Sequence, residues 1–143
     1  MIFSRIDSNA VAVTDAVIVD AVRCWRAARD AHCPVQPCLN SLLAEKGLEM
    51  LTPALDSLLT LGESCMHRPL CAGCPHARSD DEYLLCALIA SPTSLGLHRP
   101  GRQGTAGVNG LFRAFICAVH SVRLMLDQAI EADGQSVASN VRA

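Results

Sequence analysis

The sequence predicts an all-α fold, a single-domain bundle of four to five helices with a long Cys/His-rich metal-binding loop. Three observations lead there. Apolar residues recur at three- and four-residue spacing along most of the chain. Half of the residues are hydrophobic and only 18% are charged, which suits a packed core and excludes disorder as a global description. Three of the eight cysteines and two of the five histidines crowd into residues 63–78.

Ser8 and Asn9 are caps for a first helix running to about Ala31. Val11, Ile18, Val22 and Trp25 form one row at helical spacing, and Val13, Val17, Ala21, Cys24 and Ala28 form the adjacent row. Asp15, Arg23, Arg26 and Asp30 sit opposite. The β-branched run Val17–Val19 also suits a strand, but the polar residues around it do not alternate. His32 to Pro37 is a Pro-rich break. A second helix is expected from near Cys38 or Asn40, carrying Leu39, Leu42, Leu43 and Met50 and weakened by Gly47. Pro53 begins a third, capped by Thr52, with Leu55, Leu58, Leu59 and Leu61 on its apolar face and Gly62 as its stop.

Glu63 to Arg78 reads as an irregular loop. Ser79 followed by Asp80, Asp81 and Glu82 is a strong helix start, a cap and then three acids on the positive end of the dipole. That helix reaches about Ser91, with Leu84, Leu85, Leu88 and Ile89, and Pro92 ends it. A second loop, 92–110, holds five glycines. The last helix is expected from Val108 to Ala132, where Val108, Leu111, Phe112, Phe115, Val119, Val122, Leu126 and Ala129 give the clearest helical spacing in the chain. Residues 1–133 thus form the helical domain, and 134–143 a flexible C-terminal tail.

Composition excludes several functions. Aromatics are 3% and the formal net charge is −2, so there is no clear nucleic-acid surface. No run of 18 uncharged apolar residues is present to span a membrane. The first residues lack a basic segment followed by an unbroken apolar one, so a cytoplasmic location is expected. In that setting thiols serve metal or redox chemistry more than disulfide scaffolding.

The loop reads Cys-x5-Cys-x2-Cys from Cys65 to Cys74. Two cysteines two residues apart turn their sulfurs to one point through a tight knuckle, for which Gly73 supplies a permissive backbone. Zinc takes four such donors in a tetrahedron, at about 2.3 Å for sulfur. Cys65, Cys71 and Cys74 are the expected ligands, with Cys86, His67 or His76 as the fourth and Cys33, Cys38, Cys117 or His120 as remote substitutes. An iron–sulfur cluster on Cys65, Cys71, Cys74 and Cys86 is the rival reading. Cys74-Pro75 resembles the end of a ferredoxin cluster run, in which the last cysteine precedes proline, but the full bacterial spacing is absent. The third reading is reduced thiols with no metal.

Cys33 and Cys38 suit a disulfide, a redox pair or half of a second metal site as well as simple packing. Cys117 and His120 share a face of the last helix, and Cys24 lies in an apolar row. The glycines and arginines of 98–110 suit a connector better than an anion site, since neither the P-loop nor the dinucleotide fingerprint is met. No nucleophile, base and oxyanion donors stand out together, so an enzyme is not the favoured reading. The sequence therefore points to a small intracellular zinc-binding helical protein that acts as a regulatory or protein-interaction module, with another protein as partner. The alternative is an iron–sulfur or thiol-based redox sensor or electron-transfer accessory protein.

Overall fold

The computed structural model describes residues 3–91 and 106–141, with side chains described over 12–91 and 110–133. The elements are α1 (Phe3–Asp30), α2 (Val35–Ala44), a short 3₁₀ turn (Glu49–Leu51), α3 (Thr52–Met66), α4 (Asp80–Ala90) and α5 (Ala106–Val141). The fold is all-α, as the spacing predicts. The one strand-like feature among the described residues is an isolated bridge between Cys74 and Ala77.

Both expected rows of α1 are buried from Val17 onward except for the half-buried Cys24, and Trp25 lies at the centre with no exposed surface. Val13 is the exception and stays exposed. The helix starts at Phe3, so Ser8 and Asn9 lie inside it and do not cap it. Extending a helix past such residues costs a few tenths of a kcal/mol each, far less than starting a new one.

α1 and α2 both end in Schellman closures. After α1, Cys33 N–H donates to the Ala28 carbonyl at 2.8 Å and His32 N–H to Arg29 at 3.1 Å. After α2, Leu48 N–H donates to Leu43 at 2.9 Å and Gly47 N–H to Ala44 at 3.0 Å. The left-handed position is Gly47 (φ 70°) in the second and His32 (φ 55°) in the first. Gly47 therefore terminates a turn and does not weaken a helix. α2 starts at Val35, earlier than expected, because Pro34 precedes it and Pro37 falls in the first turn, where no N–H has an intrahelical partner. Met50 is left in the 3₁₀ turn, largely exposed.

α3 runs past Gly62 to Met66. Gly62 is a packing residue: a Cβ there would lie 3.4 Å from the Phe115 ring of α5. Thr52 does not cap the helix; its hydroxyl is buried without a partner. The stop is His67, in the left-handed conformation (φ 54°). Glu63 to Met66 are thus helical, and the irregular loop is 67–79. α5 starts at Ala106 and continues through Gly134 to Val141. The expected glycine-rich connector lies largely outside the described residues.

α1 packs on α2 and α4, α3 on α2 and α5, and α4 on α5, closing a ring around one apolar core. Polar ties cross the ring. Trp25 Nε1 donates to Asp56 Oδ1 on α3 at 3.0 Å, and the Arg29 guanidinium stacks on the indole 4.5 Å from its centroid. Arg123 on α5 donates to the last carbonyls of α4, Ile89 at 3.2 Å and Ala90 at 3.1 Å. No helix among the described residues is long and apolar enough to cross a membrane.

His32 adopts a conformation that suits glycine. His32→Gly should therefore raise stability by about 1 kcal/mol. The urea midpoint checks this, and the denaturant slope should stay unchanged.

Candidate functional site

The site is built from the first turn of α4. Ser79 Oγ accepts from Glu82 N–H at 3.1 Å, and Glu82 Oε1 accepts from Ser79 N–H at 2.8 Å. This reciprocal pair is a capping box. The sequence places Asp80, Asp81 and Glu82 at the helix dipole; the structure additionally buries two of them. Asp81 is 3% exposed and Glu82 is 0% exposed.

Each buried carboxylate turns back onto the preceding loop. Asp81 accepts both arms of Arg68, at 2.6 and 2.8 Å, and the Cys71 N–H at 2.8 Å. Glu82 accepts Arg23 Nε of α1 at 3.0 Å and Gly73 N–H at 3.1 Å. Ser79 Oγ in turn donates to the Cys71 carbonyl at 2.6 Å. The Cys71 peptide is therefore gripped on both sides. Buried charges are tolerated only with such saturation, and here the donors come mostly from the loop itself.

Gly73 is required for space. A Cβ there would overlap the Ala77 carbonyl oxygen and Glu82 Oε1, so only glycine lets the loop backbone reach the carboxylate. Cys74 and Ala77 then exchange backbone hydrogen bonds at 3.0 and 3.2 Å and close a tight turn. Two carboxylates and two arginines thus order the loop backbone.

The cysteines separate by environment. Cys71 and Cys74 are exposed on the pinned loop, as are His67 and His76. Arg68 Nη1 lies 3.8 Å from Cys71 Sγ. Cys65 sits on α3 with its sulfur 3.8 Å from the Leu111 carbonyl of α5. Cys86 is buried on α4 with its sulfur 3.8 Å from the Asp15 carbonyl of α1. Among the described residues no three His, Cys, Asp or Glu side chains are gathered as a metal ion needs. Of the remote candidates, Cys33 and Cys117 are exposed, Cys38 and His120 are half-buried, and Cys24 is half-buried beside the core.

The thiols differ in acidity in the same sense. Burial pushes Cys86 up to about 11, helped by the Asp15 charge. Burial also raises Cys65 and Cys24. Cys74 moves the other way. The backbone N–H groups of His76 and Ala77 favour its thiolate, as does the Arg23 charge, and together they outweigh desolvation. The carboxyls are also displaced. The Arg68 guanidinium, against burial, holds Asp81 below its usual 3.8. Burial pushes Glu82 up, but Arg23 with the Ser79 and Gly73 amides outweighs it and leaves Glu82 below 4.5.

Sequence reasoning missed Asp81, Glu82, Arg68 and Arg23 as the groups that build the site. The available signal was Ser79-x-x-Glu82, the capping-box spacing directly after the cysteine run. No protein-family model matches the chain, and no curated protein or solved structure matches it either.

Both carboxyls titrate lower in the folded protein than their ordinary values of 3.8 and 4.5. Their stabilisation is therefore full above about pH 5 and is lost as pH falls through the folded values. Melting temperature against pH should fall on the acid side, and the Asp81→Asn/Glu82→Gln double variant should lower the neutral-pH melt by on the order of 10 °C and flatten that acid slope. Gly73→Ala should loosen the loop and leave the helices. Its measurable sign is faster amide exchange at position 73 and at Ser79, with helical circular dichroism retained.

Proposed function

We propose that the protein is a helical regulatory or protein-interaction module whose working part is the Cys71–Cys74 loop, acting as a thiol-based redox sensor. The observation that carries this reading is that Asp81 and Glu82 fix the loop backbone while both thiols stay at the surface. Two cysteines two residues apart form the usual dithiol–disulfide pair. Cys74, whose thiolate is favoured by the neighbouring amides, is the attacking sulfur, and Cys71 is the resolving one. Oxidation by a second disulfide transfers two electrons. The Cys71 and Cys74 thiols lose two protons and form one S–S bond, and the acceptor leaves as two thiols.

The signal has a defined route into the fold. Asp81 and Ser79 hold the Cys71 peptide at its N–H and its carbonyl. Drawing Cys71 toward Cys74 therefore pulls on the first turn of α4. A partner protein that docks on this surface reads the change.

Zinc is the second reading. It is favoured by one loop carrying Cys71, Cys74, His67 and His76, all exposed, a set of two thiolates and two imidazoles that suits a tetrahedral ion. An iron–sulfur cluster would have to draw Cys65 and Cys86 out of their contacts with α5 and α1.

Three measurements test the reading together. Limited alkylation with peptide mapping should label Cys74 before Cys65 and Cys86, with a rate that persists to lower pH than for an ordinary thiol. Mild oxidation should map a Cys71–Cys74 bridge. A strong chelator should leave the melt unchanged. Equal labelling of Cys74 and Cys86, or a bridge elsewhere, would sink the redox reading. Stoichiometric zinc with a chelator-sensitive melt would replace it with the second.

A further inference from the structure

An open cleft of about 420 Å³ lies against the turn that follows Cys74. Asp20 and Arg23 of α1 form one wall, Pro75, His76 and Arg78 of the turn form another, and Tyr83 of α4 closes the side. The Arg78 guanidinium stacks 5.9 Å from the Tyr83 ring centroid.

The charges of this cleft are unevenly spent. Arg23 uses Nε and Nη2 on Glu82 and on the Ala77 carbonyl, and its Nη1 has no hydrogen-bond partner among the described residues. Arg78 has only a loose ion pair, 3.6 Å to Asp15, and makes no hydrogen bond there. Of the nearby acids, Glu82 is wholly buried behind Arg23, Asp20 carries its own counter-ion, Lys46 at 3.0 Å, and Asp15 is the loose partner of Arg78. What the cleft offers to a visitor is two guanidinium groups with donors to spare, an exposed imidazole and an aromatic wall. That is a receptor for a carboxylate.

We infer that this cleft seats the carboxylate arm of a small disulfide and so makes an anionic low-molecular-weight disulfide the exchange partner of Cys74. The inference rests on the dithiol reading of the loop. The Cys74 thiolate attacks one sulfur of the disulfide RSSR; the Cys74–S–S–R bond forms and RS⁻ leaves. Cys71, after losing its proton to water, attacks the Cys74 sulfur, closes the Cys71–Cys74 bridge and releases the second RS⁻. The net change is two protein thiols and one RSSR to one protein disulfide and two RSH. Arg23 and Arg78 hold the arm of the incoming disulfide and then its leaving thiol.

The test uses the full chain with Cys71→Ser, which traps the mixed disulfide at Cys74 for mass analysis. Three reagents of similar size and different charge are compared: dithiodipropionate (anionic), hydroxyethyl disulfide (neutral) and cystamine (cationic). Each rate is divided by that of the same reagent with mercaptoethanol. At low salt the anionic reagent should react at least about fivefold faster than the cationic one, and about 0.5 M salt should close most of that gap. Arg78→Gln should cut the anionic-to-cationic ratio at least about twofold. Equal normalised rates for the three reagents, or a cationic preference, overturn the inference and leave the dithiol reading standing. Failure of all three to modify Cys74, while they modify the unfolded chain, overturns the dithiol reading itself.

Discussion

The burial of two neighbouring carboxylates at the start of α4 is the constraint on which the rest of the structure depends. Asp81 and Glu82 are almost without exposed surface. An ionised carboxylate in such a place is costly unless nearly every lone pair is met. The chain meets them with Arg68 and Arg23 and with the backbone amides of Cys71, Gly73 and Ser79. Residues 67–79 have no helix or sheet to join, so their backbone groups needed other partners. The carboxylates supply them and take their own stabilisation from the same bonds.

That exchange explains why the cysteines are not equivalent. Cys65 and Cys86 belong to helices and face inter-helix seams, where low polarity favours the neutral thiol. Cys71 and Cys74 belong to the pinned loop, where the backbone is directed inward to Asp81 and Glu82 and the side chains are left outside. The peptide geometry that satisfies the acids also sets amides near the Cys74 sulfur. The exposure of these two thiols and the lowered Cys74 pKa follow from how the loop is anchored.

Much of the fold was legible because periodicity reports burial directly. The rows through Ile18, Val22 and Trp25, and through Phe115, Val119, Val122 and Leu126, are buried as their spacing requires. Ser79 was legible as a cap because few other residues satisfy a free helix N–H. Helix ends elsewhere were less legible. Gly62 reads as a stop by composition, yet it is a contact point for Phe115, and His67 does the stopping in a conformation that sequence assigns to glycine. The site was legible only as a place. The spacing of Cys65, Cys71 and Cys74 marks the loop, but the direction of each sulfur depends on which helix carries it. The burial of Glu82 depends on Arg23, more than fifty residues away, and no local pattern reveals such a partner.

α4 is held differently from its neighbours. Its first turn is tied to α1 through Arg23 and Glu82, and its last carbonyls are tied to α5 through Arg123. A helix fastened at both ends by guanidinium groups from two different flanking helices has lost its axial freedom. Sliding by part of a turn in either direction breaks a set of directional bonds that apolar packing alone would have let slip. The bundle is thereby keyed in register, and whatever acts on residues 67–79 meets a strut whose far end is already fixed.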